Sequence, residues 1–405
     1  MPYKFSLKRR VFFTLLPVVI LACAIEIILR FSGFFFYPGD LKYYINEDYR
    51  VFVPQARGSR FITNPRKNGI FIEQSFSASK ASNAFRIFIL GGSSVNWLGE
   101  FTDLKSRLSA RFPGRRIEII NAGGLSYGSN RLLLVFQEIL SYTPDLIIVY
   151  SGNNEFEEEF LKVIGNRVKL NSLNELFLHS RVYQLLSFVV YNAKKAVIFN
   201  LKNYRIHPPF PSQTILSWGI SFDNQQNQEI YKNYYLNIEW MIKMAELKGV
   251  KIMLSTVAYN QIGIPPFYSP TYGGDYSVFK KNIDEETIDR IQPNERDPFL
   301  AYAKGEKLYL EGDLITSKQF LERAFVLDAQ PHRANVYINE MIRKLFLIYK
   351  VPLIDIEKKV LQDSEGGVAS LALFSDHCHF NKMGQDILVN EFFKSIEDYL
   401  KFIKW

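Results

Sequence analysis

Residues 86–97 read RIFILGGSSVNW. Four apolar residues, Ile87 to Leu90, run straight into Gly91-Gly92 and then into Ser93 and Ser94. A continuous apolar run of this length, stopped by glycines, predicts a buried parallel strand whose carboxyl end meets a tight turn. In open α/β sheets that edge is where ligands and catalytic groups collect. A serine placed there sits on a rigid base with backbone N–H groups close by. Ser93 can equally serve as the N-cap of the helix that follows, since serine is favoured there. Neither G-x-G-x-x-G nor G-x-x-x-x-G-K-[ST] is present, so a phosphate cradle has little support.

The pattern repeats along the chain. Phe101–Phe112 can form a helix, ended by Pro113-Gly114. Ile117–Ile120 gives a second strand, closing on Asn121-Ala122-Gly123-Gly124-Leu125-Ser126-Tyr127-Gly128. Asn130–Tyr142 is helical, and Leu146–Tyr150 is a third strand ending in Ser151-Gly152-Asn153-Asn154-Glu155. Glu229–Lys248 carries one apolar face and stops at Gly249, with a fourth strand over Val250–Thr256. Arg333–Tyr349 leads to a short strand, Val351–Ile356, and Gly384–Leu400 is a closing helix. Strands alternating with helices predict a parallel sheet covered on both faces, here a three-layer α/β/α, flavodoxin-like architecture with five strands.

Two insertions interrupt this pattern, at about 156–228 and 258–332. In the first, Leu185–Phe199 is apolar enough to pack on the core, dip into a membrane surface or meet a partner; packing is the expectation. In the second, residues 299–330 read as a helical hairpin turning at Gly312-Asp313, with Gly305, Leu308, Ser317, Leu321 and Ala324 near tetratricopeptide-repeat positions. A single such repeat must lean on a neighbour, and its outer face could take a protein partner. Before the first core strand, residues 51–76 alternate short extended pieces with turn signals at Asn64-Pro65 and Asn68-Gly69, suggesting a small hairpin or β-lid.

Composition narrows the function classes. The chain has 405 residues and a formal charge of +8, yet no basic block interleaved with aromatics such as a nucleic-acid surface requires. Cys23 and Cys378 are the only cysteines, so there is neither a disulfide framework nor a C-x-x-C zinc motif. Lys4, Lys8, Arg9 and Arg10 precede an apolar run from Val11 to Leu29 broken only by Glu26. About 20 apolar residues span a bilayer as a helix. Residues 1–30 therefore read as a basic cytoplasmic flank with a transmembrane signal anchor, 31–80 as a membrane-proximal linker and small β-region, and 81–405 as the catalytic domain on the outer side of the membrane. Ile20-Leu21-Ala22-Cys23, a lipoprotein-like box, and Ala22-Cys23-Ala24, a peptidase-like site, keep cleavage open as an alternative, and a merely buried helix is a third reading.

Three successive strands thus end in small or polar residues: Ser93, then Gly123–Ser126, then Asn154. A fourth cluster, Ser375-Asp376-His377-Cys378-His379-Phe380-Asn381, precedes the last helix. Acyl transfer needs such a set: a hydroxyl nucleophile, an imidazole to take its proton, a carboxylate to orient the ring, and donors for an oxyanion. Asp376 and His379 are three apart, so one turn can join them while the other ring nitrogen faces Ser93. His377 and His379 could alternatively belong to a metal site, though no second Cys/His cluster accompanies them.

These blocks resemble those of the SGNH (GDSL-type) hydrolases, in the family's order. The family's Gly-Asp-Ser-Leu-like turn is similar to Gly91-Gly92-Ser93-Ser94, which puts its nucleophile on Ser93, or on Ser94 if the register moves by one. The second block's glycine falls near Ser126, and Gly-x-Asn-Asp resembles Gly152-Asn153-Asn154-Glu155, so the family's oxyanion asparagine is Asn154. Asp-x-x-His matches Asp376 and His379. The resemblance covers most of 86–156, then 250–256 and 350–400. It implies the α/β/α SGNH fold and hydrolysis or transfer of ester-linked acyl groups without metal; with the apolar N-terminal run, the expectation is a membrane-anchored esterase or acyl hydrolase with no cofactor. Catalysis falls to Ser93, His379 and Asp376, with an oxyanion hole from the N–H groups of Ser93 and Ser126 and the Asn154 side chain. Expected substrates are acylated small molecules, envelope glycans or lipids; an O-acyltransferase with the same triad and a non-catalytic envelope scaffold are the alternatives. GGLSYGSNR, GNNEF and the hairpin also resemble a bacterial membrane-anchored subgroup. Three departures stand out: Gly92 for Asp, Ser126 for Gly, and Glu155 for Asp.

Overall fold

The structure is a computed structural model that describes residues 7–31, 50–55, 58–158, 180, 182, 185–186 and 224–403. It divides into two compact units, 1–49 with 162–211, and 50–161 with 212–405. In the first, Leu7–Phe31 is one helix of 25 residues containing Pro17. Glu26 pairs with Arg30 one turn on and accepts hydrogen bonds from Ser180 Oγ and Val182 N. Among the described residues no helix is long and apolar enough to cross a membrane. The expected span 11–29 falls on Leu7–Phe31, several of whose side chains lie outside the described residues, as do the linker 32–49 and most of the 156–228 insertion.

The second unit is built on strands β4 (Ala84–Gly91), β5 (Arg116–Gly123), β6 (Leu146–Tyr150), β7 (Lys251–Ser255) and β8 (Leu353–Ile354). They form one parallel sheet in the order β5-β4-β6-β7-β8. In that order the chain leaves β4 toward β5 on one side and reaches β6 on the other, so the carboxyl ends of β4 and β6 flank a topological switch point. Ile87, Phe88, Ile89, Leu90, Ile147 and Ile148 are wholly buried. Each such side chain contributes about 1.5–3 kcal/mol of burial free energy, which explains why these strands read as unbroken apolar runs.

Arg86 carries a charge into this core. The fully buried Arg86 donates to Glu118 at 2.8 Å, to the Tyr142 carbonyl at 2.7 Å and to the Ser77 carbonyl at 2.9 Å. Every arm of the guanidinium is thus engaged, which a buried cation requires. The fifth strand is shorter than its sequence suggests: Pro352 has no N–H to give the ladder, and Asp355 already caps the helix Ile356–Asp363.

Strands β1 (Phe52–Pro54), β2 (Arg60–Thr63) and β3 (Ser75–Ser77) form a three-stranded antiparallel sheet within the same unit. Glu138, from the helix Ser129–Ile139, accepts from Val51 N and Phe52 N at 2.8 Å each, while Phe52, Phe76, Phe88 and Tyr142 pack edge-to-face across the join. The Ile70 carbonyl accepts from Leu125 N at 3.0 Å, so the connection between β2 and β3 also supports the loop after β5. Further along, helices Pro298–Glu311 and Leu314–Leu327 form a hairpin around Gly312, whose left-handed φ of 88° ends the first helix. The closing helix, Lys382–Phe402, is capped by Asn381 through Met383 N and Gly384 N.

Candidate active site

Strand β4 delivers Gly91-Gly92 to the switch point, and Ser93 opens the short helix Ser93–Asn96. The N-cap of that helix is Gly92, with no side-chain cap, so the Ser93 hydroxyl is not spent on capping. A Cβ on Gly92 would lie 2.2 Å from Asn154 Nδ2 and 3.1 Å from the Tyr127 carbonyl. Glycine is therefore what allows the Asn154 amide to close on the backbone beside Ser93.

Ser93 Oγ lies 2.7 Å from His379 Nε2, and His379 Nδ1 lies 2.6 Å from Asp376 Oδ2. A carboxylate can only accept, so Nδ1 carries the proton and Nε2 is left to accept from the Ser93 hydroxyl. The other carboxylate oxygen takes Cys378 N at 2.9 Å and His379 N at 2.8 Å. Burial alone would raise the Asp376 pKa. The bonds from the His379 ring and from these two N–H groups outweigh it and hold the carboxyl well below the usual range. Ser94 points elsewhere, its hydroxyl meeting the Cys378 carbonyl at 3.4 Å.

The ligand atoms of Asp376, Cys378 and His379 lie within 4.8 Å of one another. Both imidazole nitrogens of His379 are engaged by Ser93 and Asp376, however, and burial pushes the Cys378 thiol far up, so it stays protonated. His377 turns instead toward His332 and Phe267. Burial and then the Arg333 guanidinium push its pKa down to about 3.

Of the remaining predicted residues, Asn154 lies beside Gly92 and next to Tyr127, the neighbour of Ser126. Ser126 sits at φ 59°, in the left-handed region. Asn154 Nδ2 donates to the Tyr127 carbonyl at 3.2 Å, keeping its second N–H for another acceptor. Among the described residues no group accepts from the backbone N–H of Ser93 or Ser126. Glu155 accepts from Ser129 N at 3.0 Å and Ser129 Oγ at 2.6 Å. Burial and then the neighbouring Glu158 raise its pKa to about 7. Glu157 is raised by burial too, with Arg131 and the Ser126 hydroxyl pulling the other way.

Sequence reasoning missed several of these neighbours. Trp97, the last residue of RIFILGGSSVNW, stacks on the His379 ring with centroids 3.9 Å apart and planes 17° apart, yet remains half exposed. Its signal was its place four residues after Ser93, one helical turn on. Arg131 and Glu158 form a nearly fully buried ion pair at 2.6 Å beside the Ser126 loop. Arg131 ends the quoted GGLSYGSNR and Glu158 lies two residues after GNNEF, but their pairing across 27 positions has no local signature.

No protein-family model and no curated protein matches the chain. Among solved structures it is similar to a GDSL-like lipase from Bacteroides thetaiotaomicron, at 12% identity and a TM-score of 0.35, over 78% of this chain and 89% of that one. A lipase/acylhydrolase from Enterococcus faecalis gives 13% and 0.35, over 78% and 96%. A psychrotrophic esterase from Pseudoalteromonas sp. gives 13% and 0.34, over 78% and 98%. Likenesses of this size carry no argument about chemistry, which rests on the chain's own geometry. What that geometry provides is a Ser93–His379–Asp376 relay at the carboxyl edge of a five-stranded parallel sheet.

Proposed function

We propose that the chain is a serine esterase of the SGNH type, acting on ester-linked acyl groups. The observation that carries this reading is the unbroken relay from Asp376 through His379 to Ser93, with spacings of 2.6 and 2.7 Å. His379 Nε2 takes the Ser93 proton as the serine oxygen attacks the ester carbonyl carbon, and the carbonyl electron pair moves onto its oxygen. Ser93 N–H, Ser126 N–H and the Asn154 amide receive that oxyanion; one such donor is worth about 2.7–4 kcal/mol in the transition state. The intermediate collapses, the alcohol leaves with the proton from Nε2, and water releases the acid by the same steps in reverse. Asp376 stays ionised throughout and keeps the ring in the productive tautomer. Cys378, buried and protonated, takes no part.

The basic flank at Lys8–Arg10 and the apolar run 11–29 support a membrane-anchored enzyme with its catalytic unit outside the cytoplasm. That location favours acylated envelope glycan or lipid as substrate. A fluorophosphonate probe tests the chemistry: labelling is expected in the wild type and in Ser94→Ala and is expected to vanish in Ser93→Ala. A folded wild type that takes no label moves the reading to a non-catalytic envelope scaffold.

A further inference from the structure

We propose that Arg131, fixed by Glu158, is a positioning residue that sets the Ser126 N–H against the Asn154 amide; this rests on the esterase reading above. The Ser126 backbone lies at φ 59°, which residues other than glycine disfavour, so something outside the residue has to hold it there. The Arg131 guanidinium is in place to do so. One arm donates to the Ser126 carbonyl, and the guanidinium carbon lies 4.2 Å over the Tyr127 ring. Its Nε donates to Glu158 Oε1 at 2.6 Å.

Glu158 completes the connection. Its own N–H donates to the Asn154 carbonyl at 2.9 Å, so it rides on the turn that begins at Asn154. Its carboxylate also accepts from Asn130 N at 2.9 Å and Arg131 N at 3.2 Å, the first turn of the helix Ser129–Ile139. A single ion pair therefore joins the loop after β5 to the turn after β6, and each of these carries one oxyanion donor. With side-chain exposures of 6% and 0%, Arg131 and Glu158 are closed to substrate. Arg131 is accordingly not an anion-binding residue of the site.

The test compares Arg131→Lys, and Arg131→Met combined with Glu158→Gln, against wild type. The double variant removes both charges of the pair together, so Glu158 is not left as a buried carboxylate without its cation. Lysine keeps one charge beside Glu158 but cannot also span to the Ser126 carbonyl. A displacement of about 1 Å at a reacting centre can cost on the order of 100-fold. Expected for either folded variant is a fall in kcat of roughly 10- to 100-fold on a short-chain acyl ester, with KM changed less than about twofold. Fluorophosphonate labelling should slow by the same factor, because its tetrahedral adduct also places an oxygen in the hole. A folded variant that keeps kcat within about twofold overturns the proposal, as does a loss confined to KM. A wild type that neither hydrolyses nor labels overturns the esterase reading itself, a distinguishable outcome.

Discussion

Gly92→Ala isolates one atom. The added methyl would sit 2.2 Å from Asn154 Nδ2, whereas non-bonded carbon and nitrogen rest at about 3.5 Å. The backbone leading to Gly92 is held by β4, which is paired on both sides, so the amide must retreat by roughly 1 Å. That retreat breaks its 3.2 Å bond to the Tyr127 carbonyl and withdraws it from the oxyanion. Loss of one such donor costs about 2.7–4 kcal/mol, or 100- to 1,000-fold in kcat. The assay is steady-state hydrolysis of a short-chain acyl ester by Gly92→Ala, Asn154→Ala and the double variant, with thermal unfolding as a control. If the methyl acts through Asn154, the double variant is no slower than Asn154→Ala alone, a strongly non-additive cycle. Gly92→Asp, which restores the residue of the resembled family, meets the same obstruction and should fare no better. A folded Gly92→Ala enzyme within about threefold of wild type, or a double variant whose losses simply multiply, would refute the reasoning.

Asp376→Asn should lower kcat by about 10,000-fold with little change in KM, since an amide cannot hold the Nδ1–H tautomer; a loss under tenfold on the same ester assay would count against the triad. Because the Asp376 carboxyl lies below the ordinary aspartate value of about 3.9, its contribution to stability is complete above that value and is lost as pH falls toward the depressed folded one. Glu155 works in the opposite sense: between about 4.3, where an unfolded glutamate ionises, and about 7, the folded protein holds a proton the unfolded chain has released, so stability falls as pH rises. Glu155→Gln should therefore narrow the difference in Tm between pH 5 and pH 8, and an unchanged difference would refute that assignment. Trp97→Ala should lower kcat only several-fold, because the stacked ring steadies His379 but is not one of its hydrogen-bond partners; abolished turnover in a folded variant would show that the indole does more.

The parts of this molecule that could be read from sequence are those where one local force decides. Strands β4, β5 and β6 are buried on both faces, so they appear as apolar runs, and β6 begins and ends where that run does. That the sheet is parallel with five strands follows from strands alternating with helices; the order in which they pair was not read from the sequence. The helix over Asn130–Tyr142 was legible in kind but not in detail: its last turn tightens over Leu140–Tyr142 before Thr143, at φ 52°, leads into Pro144. What stayed hidden depends on residues far apart in the chain. Glu155 and Glu158 cap a helix 26 to 28 positions earlier, and Trp97 reveals its role only once His379 has been folded against it. Gly92 looked like a departure from the family pattern; in space it is the vacancy into which the Asn154 amide fits.

The hydroxyl and the imidazole of the relay are separated by 286 residues of chain. Ser93 is synthesised 286 residues before His379, which itself precedes the helix Lys382–Phe402. A nascent or truncated polypeptide therefore carries a serine with no base beside it, whatever else has already folded. On the proposed mechanism the hydroxyl becomes reactive only when the carboxyl-terminal segment docks, so turnover itself reports that His379 has been brought to Ser93.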